Sequence, residues 1–291
     1  MSNRDIKVSK TGQGTCLMRA TSYYEQDPCY KSDDYIASLF LPLFLTMMLK
    51  YNFLRTILKK SLFKVPGIYE YVISRTKFID EIVKNFDENI EQVLIFGAGF
   101  DSRTIRFKNE LRNANVFELD APATQQAKLK IVMEKKIEIP ANVTFVSLDF
   151  TKECILEKLE EAGFQKNRRC LFLLEGLTYY LNHEAIDSIF NLMSAYSEKN
   201  SLLIFDYAIG SAGKEEQFCA DSKTKKQYQA LIKAGERPGF MIDGSIQDFL
   251  VNYKFDLIQE LTSNQLANIY FNKEGFELAA QNFKIVKAIK K

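Results

Sequence analysis

The 291-residue chain is 46% hydrophobic, enough for one large buried core, and its 39 basic and 37 acidic side chains nearly cancel to a formal charge of +2. That balance excludes a global field for nucleic acid or an anionic membrane and leaves only local patches for such contacts. Five cysteines, at 16, 29, 154, 170 and 219, form no CxxC pair and show no metal-ligand spacing, which fits a reducing compartment and no bound metal.

In chain order, the opening MSNRDIKVSKTGQGTC lacks the apolar segment of a secretory signal, so a cytoplasmic protein is expected. Residues 39–49, LFLPLFLTMML, are the most apolar stretch, but Lys50 closes them well short of the ~20 residues of a membrane span. They read as part of a helix over 34–49, buried or lining a substrate pocket, with membrane contact as the alternative reading and no integral span expected. A longer helix is predicted over 68–85. From residue 91 the rhythm changes. Strands are predicted at 92–96, 115–119, 143–148, 170–174, 202–206, 255–260 and 284–288, separated by helical spacing at 123–135, 152–162, 183–197 and 246–252. This alternation predicts an α/β protein with one seven-stranded, mostly parallel sheet covered by helices on both faces. Residues 211–240 are too long for a plain strand-to-helix connection and are expected to form a lid-like, substrate-side insertion. Without a repeat or linker, 1–291 reads as a single domain: a helical cap at 1–90, a cofactor-binding core at 91–210, the insertion at 211–240 and the last part of the sheet at 241–291. The cap and the insertion are expected at the carboxyl ends of the strands, where open α/β sheets bind ligands.

Those strand ends carry the chemistry. In VLIFGAGFDSRTIRF, residues 93–107, an apolar strand stops at Gly97 and Gly99, which let a ligand approach the backbone and its N–H groups. A dinucleotide fingerprint needs a third glycine where this chain has Ser102, and the GK[ST] of a phosphate-binding loop is missing. The next strand, NVFELD, puts Glu118 and Asp120 on one face. Asp120 follows Gly99 by 21 positions, the offset at which a carboxylate accepts the hydroxyls of an adenosine ribose; a solvated strand-end acid is the plain alternative. In FVSLDF, Asp149 and Phe150 offer an acceptor and an apolar wall for an adenine, or Asp149 caps the following helix. Glu175 ends the run CLFLLE, where a carboxylate is costly unless paired or ligated. Acids for a ribose, a base amine and a cationic group, without a phosphate cradle, match S-adenosylmethionine.

The motifs VLIFGAGFDSRTIRF, VFELDAPATQQAKL, FVSLDF and LLEGLTYYL resemble, in order and spacing, the leucine carboxyl methyltransferase family, especially its bacterial S-adenosylmethionine-dependent branch. The likeness extends upstream to MRATSYYEQDP and downstream to AGERPGFMIDGSIQDFLVNYKFDLIQEL. It implies a Rossmann-like class I methyltransferase fold. It also implies that Arg75 meets the methionine carboxylate, Gly97 and Gly99 the methionine part, Asp120 the ribose, Asp149 and Phe150 the adenine, and Glu175 the region of the methionine amine and reacting centre. Arg19 resembles an arginine of the segment that closes over the site, with a surface ion pair as the alternative. Phe150 stands where the family more usually has leucine, and nothing in the chain marks a protein-phosphatase surface, so the acceptor does not carry over.

Methyl transfer from a sulfonium needs alignment and desolvation more than a base. An already ionised carboxylate, on a small molecule or a peptide terminus, therefore suits a chain whose one histidine, His183, reads as a helix-capping-region residue. Catalytic candidates are Glu175, Tyr179 and Tyr180, with Tyr228 and Arg237 of the insertion as weaker acceptor-side candidates. The alternatives are an NAD(P)-dependent oxidoreductase and a non-catalytic Rossmann-like binding protein.

Overall fold

The computed structural model describes residues 8–63, 67–210, 239–272 and 282–291. All seven expected strands form and join one sheet: β1 (Gln92–Phe96), β2 (Asn115–Asp120), β3 (Val143–Ser147), β4 (Cys170–Leu174), β5 (Leu202–Ala208), β6 (Phe255–Thr262) and β7 (Phe283–Lys290). Their order is β3-β2-β1-β4-β5-β7-β6, parallel from β3 to β5, with β7 inserted antiparallel between β5 and β6. The chain reverses its direction of travel across the sheet at the β1/β4 boundary, the position at which open α/β sheets bind ligands, above the carboxyl ends of those two strands.

Among the described residues the helices are α1 (Lys10–Tyr23), α2 (Tyr35–Leu39), α3 (Leu43–Lys50), α4 (Asn52–Leu62), α5 (Ile68–Lys84), α6 (Arg103–Arg106), α7 (Pro122–Glu134), α8 (Ile155–Glu161), α9 (His183–Tyr196), α10 (Ile246–Asn252) and α11 (Ser263–Phe271), with a 3-10 turn at Thr178–Tyr180. The central strands are apolar throughout because both sheet faces are covered. Leu94, Phe96, Phe172 and Leu174 pack with Ile155 of α8, Phe190 of α9 and Leu250 of α10. The alternate residues Val93, Ile95, Leu171 and Leu173 pack with Ile73 and Ile79 of α5 and Leu266 of α11. A third cluster holds the cap, where Cys16, Ala20, Ile36 and Leu49 gather with Phe100 and with Val132 of α7.

Several helices depart from the sequence expectation. The single helix expected over 34–49 is broken into α2 and α3 around Pro42, which lacks an N–H and disfavours helical geometry in the residue before it. The helix expected from residue 152 starts at Ile155, because Asp149 closes a turn with Thr151 and Lys152 first. Helices α1, α4, α6 and α11 lie outside the elements that the sequence pattern predicts. Two glycines mask α1, which forms because Ser9 caps it and Cys16, Arg19 and Ala20 are buried by the rest of the fold. The signal for α11 was readable: Thr262 and Gln265 form a reciprocal capping box at the end of β6. Of the insertion expected at 211–240, residues 211–238, with Tyr228, Arg237 and Cys219, lie outside the described residues. Gly239 and Phe240 run back along the 3-10 turn, donating to the carbonyls of Tyr179 and Leu181 at 2.7 Å each. No helix among the described residues is long and apolar enough to cross a membrane.

Candidate active site

The turn after β1 is built around positive φ angles at Gly97 (64°) and Gly99 (52°), a region L-residues avoid. A Cβ on Gly97 would sit 2.8 Å from Cδ1 of Leu177, so the turn is also closed sterically from the β4 side. Because β1 and β2 are parallel neighbours with Phe96 opposite Leu119, the end of β2 lies beside this turn. The Gly99 N–H donates to one oxygen of Asp120, and the Ala121 N–H donates to the other at 2.6 Å. Burial pushes the Asp120 carboxyl up to about 6, an effect that these two donors and Lys128 only partly offset. Gly97→Ala is expected to lower stability by ~1–3 kcal/mol from αL strain and contact with Leu177, read as a thermal-melt shift. An unchanged melting temperature would show that the turn has another low-energy form.

A network of buried ions runs from the ends of β4 and β5 past the turn after β1 to Glu118 of β2. Arg75 of α5 donates from Nε to Glu175 Oε1 at 3.1 Å and from Nη1 to Asp206 Oδ2 at 2.5 Å and the Tyr179 hydroxyl at 3.1 Å. Its Nη2 makes no hydrogen bond to a described residue and faces Gly176, whose φ is 68° and whose added Cβ would lie 3.3 Å from it. Arg103 joins three carboxylates: Asp80 at 2.7 Å, Asp101 at 2.6 Å and Glu175 at 2.5 Å. Arg106 bridges Asp80 at 2.7 Å and Asp34 at 3.3 Å, and Arg19 binds Asp34 at 2.9 Å and the Phe100 carbonyl at 2.6 Å. Lys128 of α7 reaches Glu118 at 2.5 Å and the Asp101 carbonyl at 2.6 Å. Burial alone would raise Glu175 and Asp101, but Arg103, helped by Arg75 at Glu175 and by Arg19 at Asp101, outweighs it and holds both below the usual carboxylate range. Five cationic and six anionic side chains are joined here, which leaves one negative charge uncompensated before Asp120 is counted.

The structure thus gathers Arg19, Arg75, Gly97, Gly99, Asp120 and Glu175 about the carboxyl end of β1 and its neighbours. Arg19 is buried, so its ion pair with Asp34 is internal and not on the surface. Asp149 follows Leu148, whose N–H donates to the Asp120 carbonyl at 3.0 Å; its own carboxylate closes a turn and is held at about 2 because Lys152 and Thr151 outweigh its partial burial. Phe150 is buried against Phe96, ring centroids 6.2 Å apart. Tyr179 is engaged by Arg75 and Asp206, and burial with the nearby Asp206 carboxylate raises its hydroxyl well above the ordinary value, so it stays a neutral phenol. Tyr180 lies edge-on to Tyr179 at 4.8 Å. His183 is exposed at the first turn of α9, where Asn182 is the cap. Among the described residues no group of His, Cys, Asp and Glu could hold a metal ion.

Sequence reasoning missed Asp206, Tyr71, Asp34, Asp80 and Lys128. Asp206 had a signal, being one more acid at the carboxyl end of a predicted strand; it accepts the Gly176 N–H at 2.6 Å and the Tyr71 hydroxyl at 3.0 Å. Asp80 and Lys128 sit in helices among other charges and look like solvated residues until the fold buries them.

The family model for leucine carboxyl methyltransferase matches residues 14–194, a span that holds every member of the ion network except Asp206. The chain is 25% identical over 226 residues to YktD of Bacillus subtilis, a provisionally assigned S-adenosyl-L-methionine-dependent methyltransferase, covering 75% of this chain and 72% of that one. A protein of the same designation from Mycolicibacterium paratuberculosis is 27% identical over 181 residues, 62% of this chain and 55% of the relative's own length. A solved, provisionally assigned methyltransferase from Thermobifida fusca superposes with a TM-score of 0.57 at 13% identity, over 95% of this chain and 94% of the other. A duf574 family protein from Streptomyces avermitilis superposes equally, at 0.57 and 11% identity over 94% and 97%. These likenesses show the fold, which is the Rossmann-like one of class I methyltransferases.

Proposed function

The chain belongs to the leucine carboxyl methyltransferase family and is an S-adenosylmethionine-dependent methyltransferase, and we propose that it methylates a carboxylate or hydroxyl oxygen of a small molecule or peptide terminus. The observation that carries the site assignment is the Gly97-Ala98-Gly99 turn with the buried Asp120 carboxylate bonded to its Gly99 N–H. The residues fit the cofactor. Asp120 is a costly buried acid whose natural partners are the ribose hydroxyls. Nη2 of Arg75 is left for the amino-acid carboxylate, and the network's excess negative charge suits a ligand bearing a sulfonium. When bound, the cofactor supplies an activated methyl group. This chain's part is to align the acceptor oxygen in line with it and to exclude water, which needs no general base. Glu175 and Tyr179 hold Arg75 in place and so act through positioning; Tyr180, Arg19, Tyr228 and Arg237 are proposed for the acceptor side. Asp149 and Phe150 are proposed to meet the adenine, which requires Asp149 to exchange its Lys152 and Thr151 partners for the ring amine.

The oxidoreductase alternative is opposed by the local electrostatics. A dinucleotide pyrophosphate would approach the start of α6, where the Arg103 N–H already binds the Asp101 carboxylate at 2.7 Å and Ser102 donates to Asp34 at 2.7 Å. Calorimetry with S-adenosylmethionine, S-adenosylhomocysteine and NAD tests the reading: heat is expected with the first two only. Binding of NAD alone would overturn it. Binding of all three to no measurable extent would favour a non-catalytic scaffold.

A further inference from the structure

The cap carries an amphipathic surface that the cofactor site does not use. Helices α3 and α4 follow one another with Tyr51 between them. On α3 the exposed residues Leu43, Phe44, Met47 and Lys50 follow helical spacing; on α4 Phe53, Ile57 and Lys60 do the same. Leu43 is 66% exposed, Phe44 63% and Phe53 75%, far beyond what an internal helix would show. The opposite sides carry the burial: Leu49 and Leu58 enter the cap core, and Arg55 is inside, paired with Glu25 at 3.4 Å. Between residues 35 and 69 the sequence contains no Asp or Glu, but has Lys50, Arg55, Lys59, Lys60 and Lys64. An aromatic and aliphatic face bracketed by exposed lysines and free of acids in its own segment has the composition of an interfacial helix pair. Two such faces brought together as a second copy would set lysines against lysines, whereas an anionic surface complements them.

We propose that the α3–α4 face docks on the surface of an anionic lipid bilayer, burying Phe44, Met47, Phe53 and Ile57 at the headgroup boundary while Lys50 and Lys60 meet the lipid charge. The docking claim itself does not depend on the acceptor proposed above.

Vesicle flotation of the full chain tests it, comparing phosphatidylcholine vesicles with vesicles containing phosphatidylglycerol. The wild type is expected to float with the anionic vesicles, about tenfold or more in excess of neutral ones, and to be released by high salt. Phe44→Ser with Phe53→Ser, and separately Lys50→Glu with Lys60→Glu, are each expected to abolish flotation while leaving the melting temperature and S-adenosylhomocysteine binding unchanged. No flotation of the wild type, or flotation that survives both pairs of substitutions, overturns the proposal. A wild-type dimer in lipid-free solution that Phe44→Ser with Phe53→Ser converts to monomer also overturns it, in favour of a protein interface. Loss of S-adenosylhomocysteine binding by the wild type would instead count against the cofactor reading and leave the flotation result standing.

Discussion

Arg103→Met is expected to cost about 3–5 kcal/mol of folding stability at neutral pH, the range for removing one partner of a buried ion cluster. The guanidinium is 2% exposed and is shared by Asp80, Asp101 and Glu175, so its loss leaves three buried carboxylates with too few counter-charges. Against a total stability of roughly 5–15 kcal/mol this is a large fraction, and a melting temperature lowered by about 10 °C is expected. The sign with pH is distinctive. In the wild type, Arg103 and its neighbours hold Asp101 and Glu175 below their unfolded values, so their contribution is present above about pH 4 and is lost as pH falls further. In the variant the same carboxyls are raised, so the folded state binds protons more tightly than the unfolded chain and the deficit shrinks from pH 8 to pH 5. Thermal melts across that range, with Arg103→Lys as the charge-retaining control, check both statements. A variant that melts with the wild type at pH 7.5 would mean that the cluster contributes nothing net.

S-adenosylhomocysteine affinity is expected to fall about tenfold between pH 7.5 and pH 5, with a midpoint set by Asp120. Its carboxyl is raised to about 6 by burial, so it is ionised at pH 7.5 and largely neutral one unit below that value. Only the ionised form offers charge-assisted acceptors to both ribose hydroxyls. Asp120→Asn is expected to weaken binding at pH 7.5 by ~1–3 kcal/mol and to flatten the pH profile. The ligand-free protein gives an opposite sign. A folded-state value above the unfolded one means that ionised Asp120 costs stability, with no cost below about pH 3.8 and about 3 kcal/mol above pH 6. The Asn variant sheds that cost but turns an amide donor toward one of the two backbone N–H groups that Asp120 accepts, so its stability at pH 7.5 is expected to change little while binding falls. Calorimetry and thermal melts at the two pH values measure both, and a wild-type affinity that does not change with pH would remove Asp120 from the ligand.

The first four strands were legible because each is a short apolar run closed by Gly, Asp or Glu, a local pattern; β5, β6 and β7 run on to residues 208, 262 and 290, past the ends at 206, 260 and 288 that the sequence pattern predicts. The acids at those ends were legible for the same reason: Asp120 beside Gly99 follows from adjacent parallel strands. The helices of the cap were less so. Pro42 was in plain view yet its break in the 34–49 helix was not anticipated, while α1 has almost no amphipathic pattern and is stabilised by what it buries.

From the residues alone came the α/β architecture, the glycine turn, the strand-end carboxylates and the family. Only the folded chain decided what those carboxylates bind. Arg75 meets Glu175 across 100 residues, Tyr71 meets Asp206 across 135, and Arg19 reaches the Phe100 carbonyl across 81. A charge in a helix reads the same in sequence whether water or a buried counter-ion compensates it. The difference lies in desolvation, which depends on everything packed around the residue and on nothing next to it in the chain.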